Sequence, residues 1–249
     1  MLAAWNGLMQ RALAEAGRSL DRADYRDAAL ANARFLRAHL LAGGRLLRSW
    51  RQGQAHIAGY LEDYAAVANA LLSTYEATGD LECFTDARAL TDTMLDLFWD
   101  DAIDGFYDTA RDAEALIGRP RELADGVTPS GMSLAAEALL RLWAFTGADR
   151  YRERAARTLL PLVEAMARQP LSFGHLLCAL DDFAGPFFEV ALVGDPADAA
   201  TRALGAALDA RYLPRLALAR AAPDDTDAAQ AVGLLAGRGL VGGAAAAYV

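Results

Sequence analysis

A mainly α-helical fold of long helical hairpins, with short β-hairpins in the loops and a small C-terminal βαβ module, is the fold class this sequence predicts. Three observations carry it: one hairpin plan recurs three times, glycine-led strand signals follow the second helix of a hairpin, and the period changes near Gly185. The plan reads helix, glycine stop, aspartate start, helix. Ala12-Leu13-Ala14-Glu15-Ala16-Gly17 leads to Tyr25 and Ala28-Ala29. Tyr75-Glu76-Ala77-Thr78-Gly79-Asp80 leads to Phe84 and Ala87, and Trp143-Ala144-Phe145-Thr146-Gly147-Ala148-Asp149 to Tyr151 and Ala155. Gly17, Gly79 and Gly147 suit the left-handed conformation that ends a helix, and Asp21, Asp80 and Asp149 suit the acceptor role that starts the next. The glycines lie 62 and 68 residues apart, beyond the common solenoid periods of roughly 50 residues at most. The unit is therefore one long hairpin plus a long connection.

Those connections carry their own signals. Gly43-Gly44-Arg45-Leu46-Leu47-Arg48-Ser49-Trp50 and Asp104-Gly105-Phe106-Tyr107-Asp108-Thr109 read as short strands around a glycine turn. Further helices open at Tyr60-Leu61-Glu62-Asp63, at Pro129-Ser130-Gly131 and at Ser172-Phe173-Gly174-His175. From Gly185, residues 187–193 read as a buried strand, Gly194-Asp195-Pro196 as turn and cap, and residues 197–211 as a helix. Leu216-Ala217-Leu218-Ala219 reads as a second, parallel strand, joined by the expected right-handed crossover. The turn lacks the Gly-x-Gly-x-x-Gly of a dinucleotide site. The chain thus divides into a helical part over 1–184 and a small α/β module over 185–249. Ala, Gly and Asp dominate the end of that module, where weak order is expected between Pro223 and Gln230.

Composition narrows the function classes. With 249 residues, 54% of them apolar, and a mean hydropathy of +0.12, the chain has the material for a core and is not a disordered segment. It carries 33 acidic against 24 basic side chains and no Lys, for a net charge of -9, which excludes a phosphate-backbone binder and any nucleic-acid partner. The missing Lys also removes Schiff-base and P-loop chemistry. Cys83 and Cys178 fit neither a disulfide framework nor a metal motif, and His39, His56 and His175 lack ligand spacing; no metal and no cofactor are expected. The start lacks the basic and apolar regions of a signal peptide, and no run approaches ~18 uninterrupted apolar residues. A cytoplasmic protein with no membrane partner is the expectation.

The motifs point further. Hairpins of this length with strand-bearing loops resemble the (α/α)6 toroids of six-hairpin glycosidases and sugar epimerases. Trp5-Asn6-Gly7-Leu8-Met9, Gly59-Tyr60-Leu61-Glu62-Asp63-Tyr64-Ala65, Phe98-Trp99-Asp100 with Gly105-Phe106-Tyr107-Asp108-Thr109, Asp125-Gly126-Val127-Thr128-Pro129-Ser130-Gly131 and Val193-Gly194-Asp195-Pro196 occur in an order that resembles the spermatogenesis-associated, thioredoxin-domain-containing family. That resemblance covers nearly the whole chain. It implies the later part of such a protein: a partial (α/α)6 barrel similar to N-acylglucosamine 2-epimerase, without the N-terminal thioredoxin-like domain. Met132 stands where the family usually has Asn. Three and a half hairpins do not close a ring of six, so an open arc is expected, its missing half lying upstream in a longer parent chain or supplied by a partner; self-association and the missing N-terminal thioredoxin-like domain are the partners expected.

In such toroids the loops before the inner helices face the cavity mouth. The resemblance places there Trp5, Asn6, Arg48, Trp50, Tyr64, Phe106, Tyr107 and Ser130 as substrate-binding candidates, with Glu62, Asp63 and His175 as catalytic ones. Aromatic faces stack on sugar rings, and paired carboxylates or a histidine supply the acid and base of glycosidase or epimerase chemistry. A structural reading stands beside each. Glu62 and Asp63 occupy a first helical turn, where negative charge is worth about 0.3–1 kcal/mol. The aromatic residues equally serve as core or loop anchors, Ser130 as an N-cap, and His175 as a buried, hydrogen-bonded histidine. His39, near a helix end, reads as surface, and His56 falls in an irregular stretch. Two functions follow: a carbohydrate-binding or carbohydrate-modifying barrel with a sugar ligand, or a non-catalytic scaffold for a redox domain.

Overall fold

The computed structural model describes residues 1–114 and 117–249. Four helices form an inner row, each packed on the next: α1 (Ala3–Ser19), α3 (Leu61–Thr78), α5 (Gly131–Thr146) and α8 (Gly174–Ala184). Outside them lie α2 (Ala23–Leu40), α4 (Leu81–Phe98) and α6 (Asp149–Leu159), followed by the short α7 (Val163–Arg168). The sequence explains the layering. Helices α3 and α5 are rich in Ala and Leu and are buried on nearly every side, whereas the Arg-rich α6 buries only a stripe of Tyr151, Ala155, Thr158 and Leu159.

Two of the three expected glycine stops form as read. Gly79 (φ 76°) and Gly147 (φ 66°) take the left-handed conformation, and their N–H groups return to Tyr75 and Trp143. The Asp80 side chain then accepts from the Cys83 N–H at 3.1 Å to start α4. The first hairpin departs from the plan. Gly17 lies inside α1, and Asp21 itself takes the left-handed φ of 47°; α2 starts without a side-chain cap. Gly17 is needed for proximity: a Cβ there would sit 2.7 Å from the Arg26 side chain and 3.0 Å from its backbone nitrogen. Asp149 is the first residue of α6, and Ala148 precedes it as the uncapped N-cap.

The connections form strands. β1 (Leu41–Ala42), β2 (Arg45–Arg51) and β3 (Gln54–Ala58) make an antiparallel sheet in which Ser49 pairs with His56, so that the stretch expected to be irregular around His56 is an exposed strand. β4 (Trp99–Asp100) pairs with β5 (Gly105–Phe106). In the C-terminal module β6 (Phe188–Val193) runs parallel to β7 (Leu216–Ala221) through α9 (Ala199–Asp209), as expected. The cap of α9 is Asp198 rather than the Gly194-Asp195-Pro196 turn; the Asp195 side chain accepts from the Ala197 N–H and its carbonyl from the Asp198 N–H. Between Pro223 and Gln230, where weak order was expected, α10 (Thr226–Ala231) begins, with Asp225 accepting from the Ala228 N–H at 2.8 Å. A strand not read from the sequence, β8 (Ala246–Tyr248), joins β6 antiparallel on its other side. Alternation along β6 and β7 gives the sheet two apolar faces: Ala191, Val193, Ala217 and Ala219 enter the core of the helices, while Val190, Leu192 and Leu218 pack on Leu204 and Leu208 of α9.

Candidate functional site

The conspicuous loop motif of the sequence turns out to hold the fold together. Asp63 is fully buried, and its carboxylate is saturated: Oδ1 accepts from the Ala4 N–H at 3.0 Å, while Oδ2 accepts from the Tyr60 N–H at 3.0 Å and from Arg48 at 2.8 Å. One side chain thus fastens the starts of α1 and α3 and the strand β2 to one another. Burial pushes the Asp63 carboxyl above its ordinary range, against those hydrogen bonds and the Arg48 charge. Arg48 also donates to Glu62 at 2.7 Å and lies over the Tyr60 ring, so it is committed as a clamp on this helix start. Of the carboxylates sought for acid–base work in this motif, only Glu62 keeps solvent contact.

The other mouth residues divide in the same way. Tyr64, Phe106 and Ser130 are buried. The Tyr64 hydroxyl accepts from the Leu46 N–H at 2.9 Å, Phe106 meets Trp99 edge-on, and the Ser130 hydroxyl caps α5 by accepting from the Ser133 N–H at 3.1 Å. Trp50 is half-buried in a stack with His39 and Phe35; His39 is exposed, as expected. Asn6 donates to the Leu2 carbonyl at 2.7 Å, and Tyr107 lies under the Arg119 guanidinium. Trp5 alone of the aromatic candidates offers an open face, at 66% exposure.

His175 is different. It stands in the first turn of α8, and its Nε2 lies 3.0 Å from Oε2 of Glu137, which projects from α5 and is itself 7% exposed. Arg11 of α1 donates to the same Glu137 oxygen at 2.7 Å and to Glu15 at 2.7 Å. Three inner helices therefore meet in one relay, Arg11–Glu137–His175. Burial raises the Glu137 carboxyl, but the Arg11 charge and the hydrogen bonds from His175 and Arg11 outweigh it and hold Glu137 well below the usual carboxylate range. An ionised Glu137 only accepts, so neutral His175 carries its proton on Nε2 and keeps Nδ1 as the basic nitrogen. The imidazole retains 22% of its surface, so it is reachable. One turn beyond Cys178 on the same helix, burial and the charge of Glu137 push the Asp182 carboxyl up to about 6.

Glu137 and Arg11 were not among the residues read from the sequence. Glu137 did leave a signal: with Arg141 it is one of two charges, four residues apart, inside the otherwise apolar run from Leu134 to Leu142. Arg11 left none, since its spacing to Glu15 is that of an ordinary surface pair. Two cavities, of about 160 Å³ beside Met132 and Arg121 and about 280 Å³ beside Val193 and Arg238, lie apart from His175. Among the described residues no cluster of His, Cys, Asp and Glu is arranged to hold a metal, and no helix is long and apolar enough to cross a membrane.

Comparison with known proteins places the chain. No family model matches it. Human spermatogenesis-associated protein 20 is 33% identical over 231 residues, covering 88% of this chain, and the mouse protein is 32% identical over 229 residues. The chain spans 29% of the length of each. Among solved structures, cellobiose 2-epimerase from Spirochaeta thermophila superposes with a TM-score of 0.54 at 22% identity, over 65% of this chain and 43% of that one. That likeness shows the fold alone: helical hairpins forming part of a toroid like that of the epimerase. Over the region they share, the chain belongs to the family of spermatogenesis-associated protein 20, built on a sugar-epimerase-like helical fold.

Proposed function

We propose that the chain carries a sugar-modifying site in which His175 takes and returns a proton beside the carbonyl of an open-chain sugar, as epimerisation or isomerisation requires. The observation that carries this reading is the Arg11–Glu137–His175 relay on the inner helices of an epimerase-like fold. Glu137 fixes the imidazole and its tautomer, Arg11 keeps Glu137 ionised, and Nδ1 removes the proton on the carbon next to the carbonyl. The electron pair moves onto the carbonyl oxygen to give an enediolate; once that has turned its other face to the imidazolium, return of the proton to the same carbon re-forms the carbonyl of the epimer, whereas return to the neighbouring carbon, with the hydroxyl proton passing between the two oxygens, gives the isomer. Trp5, the open aromatic face, is the stacking candidate for the sugar ring.

The test is deuterium exchange. Reducing monosaccharides and disaccharides incubated with the protein in D2O are expected to lose their C2 proton signal, and His175→Asn is expected to slow this ~100-fold or more. A ligand of the native state also raises the melting temperature. No exchange and no thermal shift over the whole panel would sink the reading. A flat panel would instead favour the scaffold reading, which the saturation of the Asp63 motif by internal bonds supports; that reading expects the chain to bind a thioredoxin-like domain in a direct mixing experiment.

A further inference from the structure

The motif Asp125-Gly126-Val127-Thr128-Pro129-Ser130 lies outside the relay, yet Asp125 is joined to both helices that build it. Its Oδ1 accepts from the Ser130 N–H at 2.9 Å, at the start of α5. Its Oδ2 accepts from the N–H groups of His175 at 2.8 Å and of Leu176 at 3.2 Å, in the first turn of α8. Its own N–H donates to the Ser172 carbonyl at 2.8 Å, just before that turn. No residue at the N-cap of α8 does this work: the cap position is Phe173, which has no side-chain acceptor. The free N–H groups that every helix start leaves over are met here by a carboxylate 50 residues away in sequence.

We propose that Asp125 is a positioning residue for His175: its carboxylate seats the first turn of α8 against the start of α5, and so holds the imidazole on Glu137. The geometry leaves little alternative support. His175 is the second residue of its helix, where a turn without a cap frays, and a shift of about 1 Å there would break a 3.0 Å contact to Glu137. Burial pushes the Asp125 carboxyl up, but the hydrogen bonds from Ser130, Ser133, Leu176 and His175 outweigh it and keep the group ionised. Asp125 touches no reacting atom; it acts through His175.

The inference rests on the reading of His175 as the proton-transfer group, but its test needs no substrate. In the parent protein the His175 and Leu176 amides are expected to exchange with solvent as slowly as those in the interior of α8, and 15N NMR is expected to show neutral His175 as the single Nε2–H tautomer. In Asp125→Ala both amides are expected to exchange at least ~10-fold faster, as loss of a charged acceptor predicts, and the two ring nitrogens to move toward averaged shifts. Asp125→Asn, whose single carbonyl oxygen cannot serve both the Ser130 N–H and the two α8 amides, is expected to shift both readouts in the same direction by a smaller factor and serves if the Ala variant does not fold. Asp80→Ala removes an equivalent acceptor from α4 and is expected to leave the His175 signals unmoved. Rapid exchange of the two amides in the parent protein, or an unchanged tautomer in a folded Asp125 variant, overturns the proposal. A negative sugar-exchange experiment beside a positive result here sinks the proposed function alone.

Discussion

Burial by itself drives the Glu137 carboxyl up, and the Arg11 charge together with hydrogen bonds from His175 and Arg11 reverses the direction. The sign of the consequence follows. A carboxyl whose folded value lies below its unfolded value of about 4.3 contributes stability that is fully present above that value and lost as the pH falls through it toward the folded one. Glu137→Gln is therefore expected to lose about 2 kcal/mol at pH 7, where a charged hydrogen bond is removed, and to decline less steeply than the parent below about pH 4. Urea denaturation over a pH series checks this, and parallel acid limbs would contradict it. Asp182, pushed up to about 6, has the opposite slope: the native state keeps a proton that the unfolded chain releases, so stability falls as the pH rises from about 4 to about 6. Because the Glu137 charge is part of what raises Asp182, Glu137→Gln also shrinks that contribution, and the same series on Asp182→Asn separates the two.

At the scale of elements, close helix approach decides where the relay residues stand. Gly7 sits where α1 crosses α3, and a Cβ there would lie 2.8 Å from the Ala66 carbonyl carbon, which as backbone cannot step aside. The same helix pair carries the Gln10 to Thr74 hydrogen bond at 2.9 Å and sets the depth of Arg11 over Glu137. Gly7→Ala is expected to cost about 1–3 kcal/mol through overpacking and to weaken the Arg11–Glu137 pair. Denaturation measures the first effect; a variant within ~0.5 kcal/mol of the parent would show that α1 can shift freely. The glycine stands in the motif Trp5-Asn6-Gly7-Leu8-Met9, but its spacing cannot distinguish a close contact from a turn. The same ambiguity explains Gly17, which reads as a helix stop and serves as a contact.

Across the whole molecule, the C-terminal module is bound to the helices by more than its apolar face. Arg18 of α1 donates to Asp209 of α9 at 2.9 Å and pairs with Glu76 of α3 at 3.4 Å; Arg141 pairs with Glu76 at 3.2 Å; Arg220 of β7 donates to the Glu76 carbonyl at 2.8 Å. These side chains are largely buried, so removing one leaves the others with uncompensated charge. Arg18→Ala is expected to cost about 3–5 kcal/mol, and the parent to unfold in urea as a single cooperative transition seen alike by helix signal and by Trp fluorescence. Two separated transitions would mean that residues 185–249 hold together on their own.

Much of the architecture was legible because it rests on short-range rules. The left-handed glycines at 79 and 147, the Asp80 cap, the strand signals after helices and the change of period near Gly185 each depend on a few consecutive residues, and each is found as read. The site was legible only in part. His175 stood out as a histidine at a helix start, whereas Glu137, a charge within an apolar run, was passed over. Their contact spans 38 residues and that of Arg11 with Glu137 spans 126, and no local pattern encodes such distances. The sequence by itself determined the family, the helical hairpins and the parallel βαβ unit. Only the tertiary structure decided that Asp63 is saturated by structural bonds, that His175 and Arg11 meet on Glu137, and that Asp125 holds the first turn of the His175 helix. A residue's chemistry follows from its type, but its availability follows from which distant donors and acceptors have already claimed it.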